Sequence, residues 1–167
     1  EELPFRDAIR NIDSFLNEGP SSDNSEFGKE FDSLETAKKL GLYLFNESLV
    51  FFGQDLKNEH QIMEMLADIF TDIYTSESTL IRTKKIMDSD NPISSTKYIA
   101  KVYVSEMTDR VITKTHSILN SLHDGSVSEE TLSKLSQFEK RMRLHTNNVQ
   151  LKRNIAEYIF DQKKYPY

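Results

Sequence analysis

Apolar side chains recur at three- and four-residue spacing in six successive stretches of this chain, the pattern of amphipathic helices rather than of strands. The first stretch, over 5–16, aligns Ala8, Ile9, Ile12, Phe15 and Leu16 and stops at Gly19-Pro20. Residues 19–28 read as a polar loop rich in Ser, Asp and Asn. Asp32-Ser33 offers an N-cap for a second helix, in which Leu34, Ala37, Leu40, Leu44, Phe45, Leu49 and Phe52 follow before Gly53 supplies a C-cap. Its apolar surface is broad over 42–52. The stripe Phe45, Leu49 and Phe52 is therefore a candidate face for something outside the domain, against ordinary core as the plain alternative.

The third stretch, 58–87, contains neither Gly nor Pro. It predicts a helix roughly 45 Å long at 1.5 Å per residue. Leu66, Phe70, Ile73, Leu80 and Met87 lie close to a heptad seam that Glu77 and Lys84 interrupt. A fourth helix over 94–122 carries Ile99, Val102, Tyr103, Met107, Val111, Ile118 and Leu122, and His123-Asp124-Gly125 closes it. Ser128 starts a fifth, with Glu129 and Glu130 suiting its positive N-terminus and Leu132, Leu135, Phe138 and Met142 as its stripe. After Asn147-Asn148, a sixth holds Val149, Leu151, Ile155, Tyr158 and Ile159 before the tail 164–167. Short breaks between long helices imply antiparallel neighbours. The expected fold is all-α, an antiparallel up-down bundle of about six helices with two long central ones. One domain is expected over 1–167, with 1–30 leading in and 31–167 forming the bundle.

Composition agrees with this pattern and narrows the chemistry. Only 5 Gly and 4 Pro occur in 167 residues, too few turn signals for a β-sandwich. The absence of cysteine excludes disulfides and thiolate metal sites and fits a reducing, cytoplasmic setting. No apolar run approaches the roughly 20 residues of a membrane span, and no signal-peptide pattern opens the chain. It begins Glu1-Glu2-Leu3-Pro4 without Met, as an excised piece of a larger protein would. The net charge of −6 divides unevenly, with −10 over 1–90 and +4 over 91–167. An acidic total argues against nucleic acid as a partner.

Catalytic signatures are missing: there is no Gly-rich phosphate loop, no GxSxG and no HExxH. A di-iron bundle needs Glu three residues before each ligand His. Before His60, His116, His123 and His145 stand Lys57, Thr113, Asn120 and Met142 instead. His60 with Glu64, or His116 with His123, would supply two ligands of a metal site that lacks the others. Glu77, inside the apolar seam, is readable as a general base or as a structural ion pair with Arg110 or Lys101. No nucleophile, metal or phosphate site accompanies it, so the ion pair with Arg110 is the preferred reading. Lys134, Lys140, Arg141, Arg143, Lys152 and Arg153 form a basic end. It is a candidate docking surface for an acidic partner or a membrane-surface patch, unless it is a solvated face or neutralises the acidic first half of the same chain. Asn46-Glu47-Ser48 is a chance sequon inside a helix.

Several strings together resemble one family. Ala67-Asp68, Tyr74, Glu77-Ser78, Leu80 and Arg82 are similar to the "AD…Y…ES.L.R" helix near the end of certain acyl-CoA dehydrogenases. Val102-Tyr103 with Asp109-Arg110 resembles that family's "VY…DR" helix. Lys152-Arg153-Asn154-Ile155-Ala156 and Lys164-Tyr165-Pro166-Tyr167 resemble its closing helix and aromatic terminus. The likeness spans about 30–167 and points to the very-long-chain type of acyl-CoA dehydrogenase, which carries an extra helical domain behind its flavin-binding core.

The resemblance implies a parent enzyme that uses FAD to introduce a 2,3 double bond into a fatty acyl-CoA. Its catalytic glutamate and flavin contacts belong to the preceding core, so neither a catalytic residue nor a cofactor is expected in this chain. The implied partners are the catalytic core of the same polypeptide and a second copy in a homodimer. The acidic balance and the polar loop 19–28 set the chain apart from membrane-associated members, so membrane association is not expected. The rival reading is a stand-alone helical adaptor that binds a protein through its basic C-terminal helices. A third, a minimal enzyme, requires this chain to bind flavin or acyl-CoA by itself.

Overall fold

The computed structural model describes residues 11–18 and 25–163. The expected helical stretch over 5–10, most of the polar loop over 19–24 and the tail 164–167 lie outside them. Among the described residues there are six α-helices and no strand: α1 Ile12–Asn17, α2 Gly28–Phe52, α3 His60–Met87, α4 Thr96–Leu122, α5 Glu129–Met142 and α6 Asn148–Gln162. A 3-10 turn, Gly53–Asn58, joins α2 to α3. The all-α up-down bundle is the observed architecture. Its direction follows from contacts that run in opposite order along neighbours. On α2 and α3, Lys38 meets Glu77, while Gly41 faces Phe70. On α3 and α4, Thr75 meets Tyr103, and Asp68 meets Lys114.

Helix α3 packs most extensively on α4 and also lies along α2. The core between them holds Leu34, Ala37, Leu40 and Leu44 of α2, Leu66, Ile69, Ile73 and Leu80 of α3, and Val104, Met107, Val111 and Ile118 of α4. Helix α5 closes it with Leu135, Phe138 and Met142. Helix α6 rests on α4 and has no fully buried residue.

Three helix ends follow local chemistry directly. Ser128 caps α5 by accepting from the Thr131 amide at 3.2 Å, and Asn147 caps α6 by accepting from the Gln150 amide at 3.1 Å. Gly53 ends α2 at φ +56°, a conformation that L side chains rarely adopt. The start of α2 departs from expectation. It begins at Gly28, and neither Asp32 nor Ser33 is a cap. The Ser33 hydroxyl donates to the Met142 carbonyl at 2.6 Å, and Asp32 pairs with Arg141. Both apparent cap residues are committed to α5, 109 residues away in sequence.

The buried seam of α3 is offset from the expected one. It runs Ile62, Leu66, Ile69, Ile73, Ser76, Leu80 and Thr83, with four- and three-residue steps throughout. Ser76 and Thr83 hold seam positions that a search for apolar residues passes over. Small hydroxyl side chains recur in the core, as in Ser48, Thr108 and Thr115, whose hydroxyls donate to carbonyls three or four residues back. Phe70 and Glu77 consequently lie beside the core seam, on a side of α3 turned partly outward.

Candidate functional site

The polar residues flanking the α3 seam form two ion-pair systems. On the α4 side, Arg110 donates to Asp72 from Nε at 3.0 Å and lies within 2.9 Å of it through Nη2. Lys114 bridges Asp68 at 3.4 Å and Asp72 at 3.5 Å. The Tyr103 hydroxyl donates to Thr75 at 3.1 Å, and the Arg110 guanidinium lies over the Tyr103 ring. The hydrogen bond to Asp72 raises the Arg110 guanidinium pKa above its ordinary value. On the α2 side, Glu77 accepts from Lys38 at 2.6 Å.

Glu77 and Arg110 therefore have different partners, and the expected pair between them is replaced by these two. Glu77 lies on the α2 side of α3, whereas the α4 side presents Asp72. Lys101 pairs instead with Glu26 at 3.2 Å. Because the Glu77 and Lys38 side chains are 35% and 37% exposed, solvent screens their attraction. Glu77→Ala is expected to lower unfolding stability by less than about 1 kcal/mol in a denaturant titration. A loss several times larger would restore Glu77 as a principal brace.

The basic end does not stay together as one surface. Arg141 is inside, pairing with Asp32 at 3.0 Å with side-chain exposures of 10% and 8%. Its guanidinium stacks 3.7 Å from the Phe15 ring centroid and donates to the Phe15 carbonyl. Arg141 thus ties α1, α2 and α5 together and is withdrawn from the candidate docking set. Arg143 pairs with Asp109 at 3.5 Å, Lys152 with Glu106, and Lys134 with Asp13 at 3.1 Å. Lys140 and Arg153 are exposed. Part of the positive charge neutralises acids of the first half, through Asp13 and Asp32. Helix periodicity places cations on a face but does not say which of them the fold turns inward.

Tyr43, on α2, stacks with Phe138 at a centroid separation of 6.2 Å. Burial lifts its phenol pKa from 10.0 to about 12, with the charge of Glu47 adding to the shift. The folded state thus favours the neutral phenol. Its stabilising contribution is complete below pH 10.0 and is lost as pH rises through about 12. Subtracting the pH–stability profile of Tyr43→Phe from that of the native chain isolates this term. The difference should fall across that window, and a flat line would contradict the assignment.

No group of three or more His or acidic residues suited to a metal exists among the described residues. His116 instead meets Glu139 at 2.7 Å. A polar cleft of about 470 Å³ opens near the start of α6, lined by residues including Ser105, Asp109, Arg143, His145 and Asn148.

Residues 36–137 match the family model described as "Acyl-CoA dehydrogenase, C-terminal domain". The chain belongs to that family. This acyl-CoA dehydrogenase C-terminal domain is 26% identical over 135 residues to a "Probable acyl-CoA dehydrogenase" of Bacillus subtilis (strain 168). The alignment covers 79% of the chain and 22% of that relative. A crystal structure of acyl-CoA dehydrogenase complexed with FAD from Bacillus anthracis has the same fold, with a TM-score of 0.83 at 21% identity. The superposition takes in 99% of this chain and 28% of that one. The domain thus spans about a quarter of the length of these two proteins.

Inside the domain, three of the residues that carried the resemblance bridge α3 and α4. Asp68 of the first string reaches Lys114, and Tyr103 and Arg110 of the second reach Thr75 and Asp72. Their visible role is to hold two helices in register. Asp72 belongs to these contacts and Lys38 to the Glu77 pair across α2 and α3, although the sequence alone singled out neither. The available signal was helical spacing, since Asp72 follows Asp68 by four residues.

Proposed function

We propose that this chain is the accessory C-terminal domain of an FAD-dependent acyl-CoA dehydrogenase of the very-long-chain type, acting in fatty acid β-oxidation in the cytoplasm. The observation that carries the reading is the family match over 36–137, in a helical unit about a quarter as long as its relatives. The domain is non-catalytic by itself, and 1–167 forms one structural unit. FAD belongs to the parent protein, where it would accept the electrons released on forming the 2,3 double bond. The domain serves packing against the catalytic core of the same polypeptide and the architecture of a homodimer. The ion pairs made by Arg141, Arg143 and Lys152 weaken the adaptor alternative, because they engage within the chain much of the charge it would offer a partner.

Purification of the full-length gene product tests the proposal. It should carry bound flavin and oxidise a long-chain acyl-CoA, while the isolated chain titrated with FAD and acyl-CoA should bind neither. A full-length product without flavin, or flavin binding by the isolated chain, would overturn the reading.

A further inference from the structure

Helix α3 carries a second apolar seam beside the one buried in the core. Met63, Ala67, Phe70, Tyr74 and Ile81 follow at helical spacing, each one residue after a core residue, which rotates the stripe by about 100°. Its large members remain outside the core, with exposures of 38% for Met63, 38% for Phe70, 70% for Tyr74 and 45% for Ile81. A row of this kind, unbroken from Met63 to Tyr74, differs from scattered surface apolar residues, which need no explanation. Helix α2 forms the adjoining wall. A Cβ at Gly41 would stand 3.1 Å from the Phe70 ring, so the helices approach closely there. The Lys38–Glu77 pair crosses the groove between Tyr74 and Ile81.

We infer that this α2–α3 groove seats an amphipathic helix from the remainder of the parent polypeptide. The inference rests on the proposed function and names the surface through which that function is exercised. Four- and three-residue spacing of the exposed row is what one helix presents to another in knobs-into-holes packing. More than two-thirds of each matched relative's length lies outside the part that corresponds to this chain, and that length supplies the occupant. The outer rim of α3 is acidic at Glu64 and basic at Arg82 and Lys85, all exposed. The seated helix therefore carries basic residues toward the Glu64 end and acidic residues toward the Arg82 end.

Hydroxyl-radical footprinting with mass spectrometry tests this on the isolated chain and on the full-length gene product. Oxidation of Met63, Phe70 and Tyr74 should be several-fold lower in the full-length protein. Tyr74→Arg should return Met63 oxidation toward the level of the isolated chain while leaving that chain's own melt unchanged. Equal oxidation in both proteins would overturn the inference. So would protection in the isolated chain, whether it grows with concentration (a second copy in the groove) or is already present at high dilution. Flavin absorbance of the same full-length sample separates the two ideas: a protected groove without flavin refutes the enzymatic reading and leaves the docking intact.

Discussion

Asp32→Ala is expected to lower unfolding stability by about 3–5 kcal/mol, the cost of leaving a buried charge without its partner. Asp32 and Arg141 are 8% and 10% exposed, so removing the carboxylate strands a guanidinium that water scarcely reaches. Arg141 is also held by the Phe15 carbonyl, to which it donates, and by the Phe15 ring, over which it lies. It has little freedom to swing out and rehydrate. The same substitution loosens three helices at once, because α1, α2 and α5 meet at this guanidinium. Denaturant titration of the single variant checks the magnitude, and a loss below 1 kcal/mol would show that solvent reaches Arg141 after all. The double variant Asp32→Leu, Arg141→Met should recover much of the loss, since a well-packed apolar pair of similar volume commonly replaces a buried ion pair without penalty. Against this, the small effect expected of Glu77→Ala makes the comparison a direct reading of burial.

Phe138→Ala should have an effect of similar size, about 3–5 kcal/mol, from lost transfer energy and the cavity left behind. Phe138 is fully buried, and with Leu135 and Met142 it makes up the buried apolar stripe of α5. Its ring also stacks on Tyr43, so the deletion removes a contact that orders α2 as well. The melting temperature should fall by roughly 10 °C for a domain of this size. Hydrogen exchange should show α5 opening before α3 and α4, whose seam does not include Phe138. A uniform loss of protection across all helices would instead place Phe138 in the cooperative centre of the bundle.

The all-α architecture and the order of the helices were legible because helical periodicity is local and recurs in every turn. Gly53 and Ser128 were legible as caps, and Asn147-Asn148 as a break, for the same reason, since a helix end answers to backbone groups within a few residues. Asp32-Ser33 looked like a cap by that same local logic and was not one, because contacts to Arg141 and Met142 outweighed it. The α3 seam was misplaced by one position at Phe70 and Glu77 because buried Ser76 has no apolar side chain to mark it.

By itself, then, the sequence determined the helices, their up-down succession and the kinship with acyl-CoA dehydrogenases, all written in short-range spacing. Tertiary structure decided which charges are partners and which are buried. Arg141 and Lys140 are adjacent in a basic cluster, yet one is enclosed and the other exposed. Successive residues of a helix point about 100° apart, and only the neighbouring helices determine which direction is inside.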